Sequence, residues 1–180
     1  MTIFWQILFA NIILVFVLIG IHEVGHGVMG LIAGIPRRSM KIRLLTFPQQ
    51  VVLRDEQDWV SVSNYDRYHS ILDKYVPTNK GKYLYVSGGF LFETVFLVIF
   101  SLILWRYSFW LYASVSSGLS LMMFIIYLFA MDIPQSQSLK KPWGDTTILF
   151  SLAKKPTILV VSAMILIRVV LTILFLFERT

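Results

Sequence analysis

The sequence predicts an all-α transmembrane bundle of about four spanning helices, with a small cytoplasmic-side α/β insertion of short strands between spans 1 and 2. Three observations predict it. Only 14% of the 180 residues are charged and 57% are apolar, against roughly 25% and 45–50% in a soluble domain. The mean hydropathy is +0.72. Four apolar stretches, about residues 3–35, 83–105, 109–131 and 157–177, each approach or exceed the ~20 residues that a spanning helix needs. A single polar segment, 36–82, interrupts them, so 1–180 reads as one integral membrane domain.

The elements follow in order. The first stretch opens with MTIFWQ, which lacks the basic start of a signal peptide, and it is too long to be one. It is expected to be retained. Within the polar segment, Ser39–Thr46, Gln49–Arg54 and Trp59–Ser63 are rich in Val, Ile and Leu and read as short strands, with a hairpin about Asp55–Asp58. Asn64 is placed to cap a short helix to about Tyr75, ended by Pro77. Lys80-Gly81-Lys82 reads as a flexible entry to the second span. Ser114, Ser116, Ser117, Gly118 and Ser120 give the third span a small face suited to close helix packing. The Phe and Leu of 96–104 and 171–177 suit lipid-facing surfaces.

Charge placement predicts the orientation. The net charge is +6, and thirteen of the sixteen basic residues fall in segment 36–82 or in the loop after the third span, which carries Lys140, Lys141, Lys154 and Lys155. Arg106 and Arg179 are on the opposite side, and Arg168 lies within the fourth span. Loops rich in Lys and Arg face the cytoplasm, so both termini are expected outside, in a multi-pass protein of the cell membrane. Trp5, Trp105 and Trp110 would form the outer aromatic belt, and Trp143 would sit near the inner surface. Basic residues that flank apolar runs orient a chain in lipid, so no nucleic-acid partner is expected.

The chain has no cysteine. Disulfides, thiolate metal sites and cysteine nucleophiles are excluded, and any metal must be held by His, Asp or Glu. Within the first span stands His22-Glu23-Val24-Gly25-His26. Residues four apart on a helix share a face, so both imidazoles can reach one ion, while Glu23 can reach a water beside it. This is the HExxH pattern of two zinc ligands and a general base. Neutral imidazole is a good Zn²⁺ ligand, and the ion acidifies water towards a pKa of ~7. These three are the sole ionisable residues between Ile3 and Ile35, and such groups at membrane depth are usually functional. His26, about nine residues from the cytoplasmic end of its span, would lie some 13 Å deep.

A hydrolytic zinc site normally has three protein ligands. Candidates for the third are His69, Glu93, Asp132, Asp145 and the acids of 55–73. Asp145 follows a Pro-Trp-Gly turn on the same membrane side, and Gly144 would allow a bend that turns it inward. Asp132, just before Pro134, is the next candidate, and its simpler reading is a helix-terminus or turn residue. His69, beside Tyr68 in a polar loop, reads as a surface residue. Glu93 and Arg168 have similar depth in spans 2 and 4, roughly 15–17 Å, and an opposite-charge pair there would tie the two helices. A serine-protease centre would need a base at depth, where the His residues are already used.

From His22 to Ile35, HEVGHGVMGLIAGI resembles the site-2 protease family of intramembrane zinc metalloproteases. There the HExxH helix is commonly followed, eight residues after the second His, by Gly and a β-branched residue, here Gly34 and Ile35. The outline is also similar: an HExxH helix, a polar segment with short strands, two further helices, then an Asp-Gly motif that supplies the third ligand. By position that Asp is Asp145, although here Gly144 precedes it. The resemblance implies one Zn²⁺ on His22, His26 and Asp145, with Glu23 as catalytic base. The implied substrate is a membrane-spanning or membrane-associated peptide that unwinds locally and pairs with a strand after the HExxH helix. Residues Ser39–Arg54 would supply that edge, or would simply close the cytoplasmic face.

The expected function is therefore zinc-dependent hydrolysis of membrane-embedded peptides near the cytoplasmic side of the bilayer. The alternative is a non-catalytic metal-binding membrane protein, a regulatory or transporter-accessory partner. A zinc transporter fits less well, because the outer half of each span is almost purely apolar. Besides substrate and lipid bilayer, a homo-oligomer or a regulatory membrane partner stays open.

Overall fold

In the computed structural model, residues 2–46 and 49–177 are described. Arg179 and the two chain ends, whose side of the membrane the charge pattern predicts, lie outside them. Four helical stretches, 3–32, 79–106, 110–139 and 154–177, are long and apolar enough to cross a membrane. The chain divides into two compact units, 19–93 and 1–18 with 94–180. Each is described by itself.

Helix α1, Thr2–Ile32, runs through the HExxH pattern. It stops three residues short of the expected Ile35, for a local reason. Gly34 takes φ +105°, the Ile35 N–H bonds the Gly30 carbonyl at 2.9 Å and the Gly34 N–H bonds Leu31 at 3.2 Å. A glycine in the left-handed region, closing the last turn with these two bonds, ends a helix. The buried Ile35 side chain pins the exit.

A three-stranded antiparallel sheet follows, in the order β1-β2-β3, with β1 at Met40–Arg43, β2 at Gln50–Asp55 and β3 at Asp58–Val60. Strand β1 is shorter than the expected Ser39–Thr46, and β3 starts one residue earlier than expected and ends at Val60. The hairpin falls where expected, with Asp55 opposite Asp58. Arg67 bonds both acids, at 2.8 and 2.9 Å, and these two carboxylates push its guanidinium pKa further up. Val51, Val52 and Leu53 are buried with Ile71, Leu72 and Val76, so the middle strand and helix α2, Tyr65–Tyr75, share a core. Asn64 precedes that helix as expected but makes no capping bond with its side chain.

Helix α3, Asn79–Arg106, begins earlier than expected and absorbs Lys80-Gly81-Lys82. The Thr78 hydroxyl accepts the Gly81 N–H at 3.1 Å, which satisfies one of the donors that a helix start leaves open. Lys82 adds an ion pair with Asp73 at 2.5 Å.

In the other unit, α4 at Trp110–Ile126 packs along α7 at Lys154–Phe177. Serines make this close approach possible. Ser114 donates to the Thr172 carbonyl at 3.2 Å, and Ser101 meets Ser117 at 3.1 Å. Leu97, Ala113, Leu171 and Phe175 form the apolar cluster beside them. Arg168, fully buried, donates to Ser120 at 3.1 Å, to Thr94 at 3.0 Å and to the Met164 carbonyl at 3.3 Å. The Phe124 ring covers its guanidinium at 5.0 Å.

The third span does not end at Met131 as expected. It passes through one wide π-helical segment, Tyr127–Asp132, into α5, Ile133–Leu139. Pro134 has no N–H to give the ladder, and it sits within the first two positions of α5, where none is needed. A further short helix, α6 at Asp145–Leu152, lies in what reads from sequence only as an apolar run.

Candidate metal centre

Helix periodicity stacks His22 over His26, with ring centroids 4.7 Å apart. Helix α3 then meets them. The Gly25 and Gly88 backbones touch, since a Cβ on either residue would collide with the other's main chain. Gly89 lies against His22, where an added Cβ would stand 2.5 Å from Nε2. Phe90 packs edge-on to the same ring at 5.0 Å. Tyr85, Gly89 and Glu93, spaced four apart, thus form one stripe of α3 that faces the motif.

Each ring has its Nδ1 beside an oxygen of α3. His26, 7% exposed, has Nδ1 3.0 Å from the Tyr85 carbonyl oxygen. A carbonyl can only accept, so Nδ1 carries the hydrogen. His22 has Nδ1 3.3 Å from Glu93 Oε2, and a carboxylate likewise accepts. The two Nε2 atoms lie 3.1 Å apart, within hydrogen-bond distance of each other.

Two imidazole nitrogens at this separation suit a divalent metal. Zinc–nitrogen bonds of 2.0–2.1 Å at a tetrahedral angle would separate two nitrogens by about 3.3 Å. The ligand atoms of His22, Glu23 and His26 all lie within 4.8 Å of one another, which leaves Glu23 within one water's reach of the two nitrogens. A ring whose Nδ1–H is held by a carboxylate or a carbonyl is also the usual state of a histidine that binds metal through Nε2. The donor set fits zinc.

Asp145 and Asp132 belong to the other unit, where they sit at one helix start. Gly144, at φ +81°, makes the bend expected of it, and Asp145 is the first residue of α6. Asp132, 2% exposed, accepts the Thr146 N–H at 3.0 Å. A Cβ on residue 144 would overlap the Asp132 carboxylate. Asp132 therefore does from the preceding helical run what a capping side chain would do; the expectation of a helix-terminus or turn residue is corrected, since the run continues through Asp132 to Leu139. The Tyr127 hydroxyl accepts the Asp145 N–H at 3.5 Å, and the wide turn at 127–132 carries both Tyr127 and Asp132.

Glu93 and Arg168, expected to tie two spans, each have partners inside their own unit: His22 for Glu93, and Thr94, Ser120 and Met164 for Arg168. His69 packs against Tyr65, with ring centroids 4.1 Å apart and the planes tilted. The roles of Glu93, Gly89 and the Tyr85 carbonyl escaped the sequence reading, though their four-residue spacing was a usable sign.

No protein-family model, curated protein or solved structure matches this chain.

Proposed function

We propose that the chain is an intramembrane zinc endopeptidase, cleaving membrane-spanning or membrane-associated peptides near the cytoplasmic side of the bilayer. One observation carries this reading: two Nε2 atoms 3.1 Å apart, with a carboxylate beside them, in a helix long and apolar enough to span a membrane. His22 and His26 would hold the ion, with Asp145 as the proposed third ligand. Zinc, when bound, supplies a Lewis acid that makes water an effective nucleophile near neutral pH. Glu23 would take a proton from the attacking water as its oxygen bonds the carbonyl carbon. It returns the proton to the amide nitrogen as the C–N bond breaks. Strand β1, at one edge of the sheet, would pair with an unwound stretch of substrate and hold its carbonyl accessible. The basic loops support a cytoplasmic placement of that sheet.

Purified protein in detergent or liposomes tests this with zinc analysis and cleavage of a panel of labelled membrane peptides. Glu23→Gln is expected to keep one zinc per chain and lose cleavage by at least 100-fold. His22→Ala and His26→Ala are expected to lose both. Zinc bound by every motif-intact chain, with cleavage of no peptide, would instead favour a non-catalytic metal-binding partner.

A further inference from the structure

Helix α3 does more than pack against the motif helix, because its Glu93 carboxylate faces the inner nitrogen of His22 at 3.3 Å. Both side chains are mostly buried, with 15% of each exposed. A carboxylate within an apolar span is costly to keep there, and this one is directed at a ring whose other nitrogen points at His26. The closeness is built in. Gly88 lets the two helices touch at Gly25, and Gly89 leaves the space that the His22 ring fills. His26, one helical turn along α1 from His22, has an equivalent partner in the Tyr85 carbonyl.

We infer that Glu93 is the positioning residue of the metal centre: it holds the His22 Nδ1 hydrogen, and so keeps Nε2 unprotonated, aimed and more basic towards a divalent cation. This rests on the zinc reading above, and it adds a residue that neither ligates nor touches substrate. A carboxylate behind a metal-bound histidine typically accounts for 10–100-fold in metal affinity. Glutamine in its place keeps an acceptor but not the charge, and alanine keeps neither.

The test has one arm without metal and one with it. The chain has three histidines, so ¹⁵N-histidine labelling gives three imidazole spectra, and a His69→Asn background removes one. In metal-free protein at pH 8, the wild-type His22 is expected to be in the Nδ1–H form. Glu93→Ala is expected to show His22 shifted towards the Nε2–H form, with His26 unchanged. In competition against a zinc chelator, Glu93→Ala is expected to bind zinc 10–100-fold more weakly, Glu93→Gln less so, and both are to be compared with wild type by circular dichroism. If alanine does not fold, Glu93→Leu, which fills the space but offers no acceptor, carries both arms, and Glu93→Gln is read in the zinc arm alone. A wild-type His22 tautomer and zinc affinity within twofold of wild type in the folded variant that lacks an acceptor would overturn the role of Glu93 while leaving the zinc reading intact. Failure of wild type itself to bind zinc would overturn the proposed function, and this role with it.

Discussion

A methyl group at position 89 would meet the imidazole of His22 at 2.5–2.7 Å on three of its ring atoms. Carbon atoms do not approach so closely, and a backbone flush with a neighbouring helix cannot yield easily. Gly89→Ala is therefore expected to displace the ring and weaken zinc binding by at least tenfold, while overpacking costs about 1–3 kcal/mol of stability. Chelator competition and thermal melts, read together, check both. Gly20, by contrast, has nothing within 4 Å of an added Cβ, so Gly20→Ala should leave zinc affinity unchanged. At this scale the sequence was informative about residues that act within one helix. His22, Glu23 and His26 are legible because their four-residue spacing alone puts the imidazoles on one face. Their partners Tyr85 and Glu93 stand 59 and 71 positions further along, and nothing local in the motif points to them.

Among elements, the short helix α6 depends on an acid that precedes it by more than one turn of chain. Replacing Asp132 with Ala removes the acceptor of the Thr146 N–H, and loss of a helix-start partner typically costs about 0.5–2 kcal/mol. Hydrogen exchange at Thr146 and its neighbours is expected to accelerate, with α4 and α7 unaffected. Asp132→Asn, which keeps an acceptor, should restore most of the protection. Equal exchange in all three proteins would mean that α6 stands without Asp132. The spans and strands were legible as runs of apolar and β-branched residues, but their ends were not. Helix α1 stops at a glycine in the left-handed region, α3 starts at a threonine cap, and the third span continues past Pro134 because a wide turn accommodates it. Each of these is settled by hydrogen bonds, which composition does not report. Helix α6 was missed for a related reason: eight residues of mixed apolar and hydroxyl character carry too little periodicity to be told from a strand or a loop.

For the molecule as a whole, two expectations follow from charge and metal. The chain is free of cysteine, so single cysteines report on sidedness without background. Lys41→Cys and Lys141→Cys are expected to react with an impermeant thiol reagent only from the cytoplasmic face of inside-out vesicles, and Arg106→Cys only from the opposite face. Reaction of all three from one face would rule out the four-span path. Bound zinc should also stabilise the fold, by about 2.7 kcal/mol when free metal is one hundred times its dissociation constant. A chelator should therefore lower the melting midpoint of wild type but not of His22→Ala. The two histidines differ, finally, in how heredity can reach them. The carbonyl behind His26 is main chain, present whatever amino acid is encoded at position 85, so no point mutation there deletes it. The acceptor behind His22 is a side chain, and one codon removes it. Of the two oxygens that face the histidine Nδ1 atoms, a single substitution can therefore delete only the one behind His22.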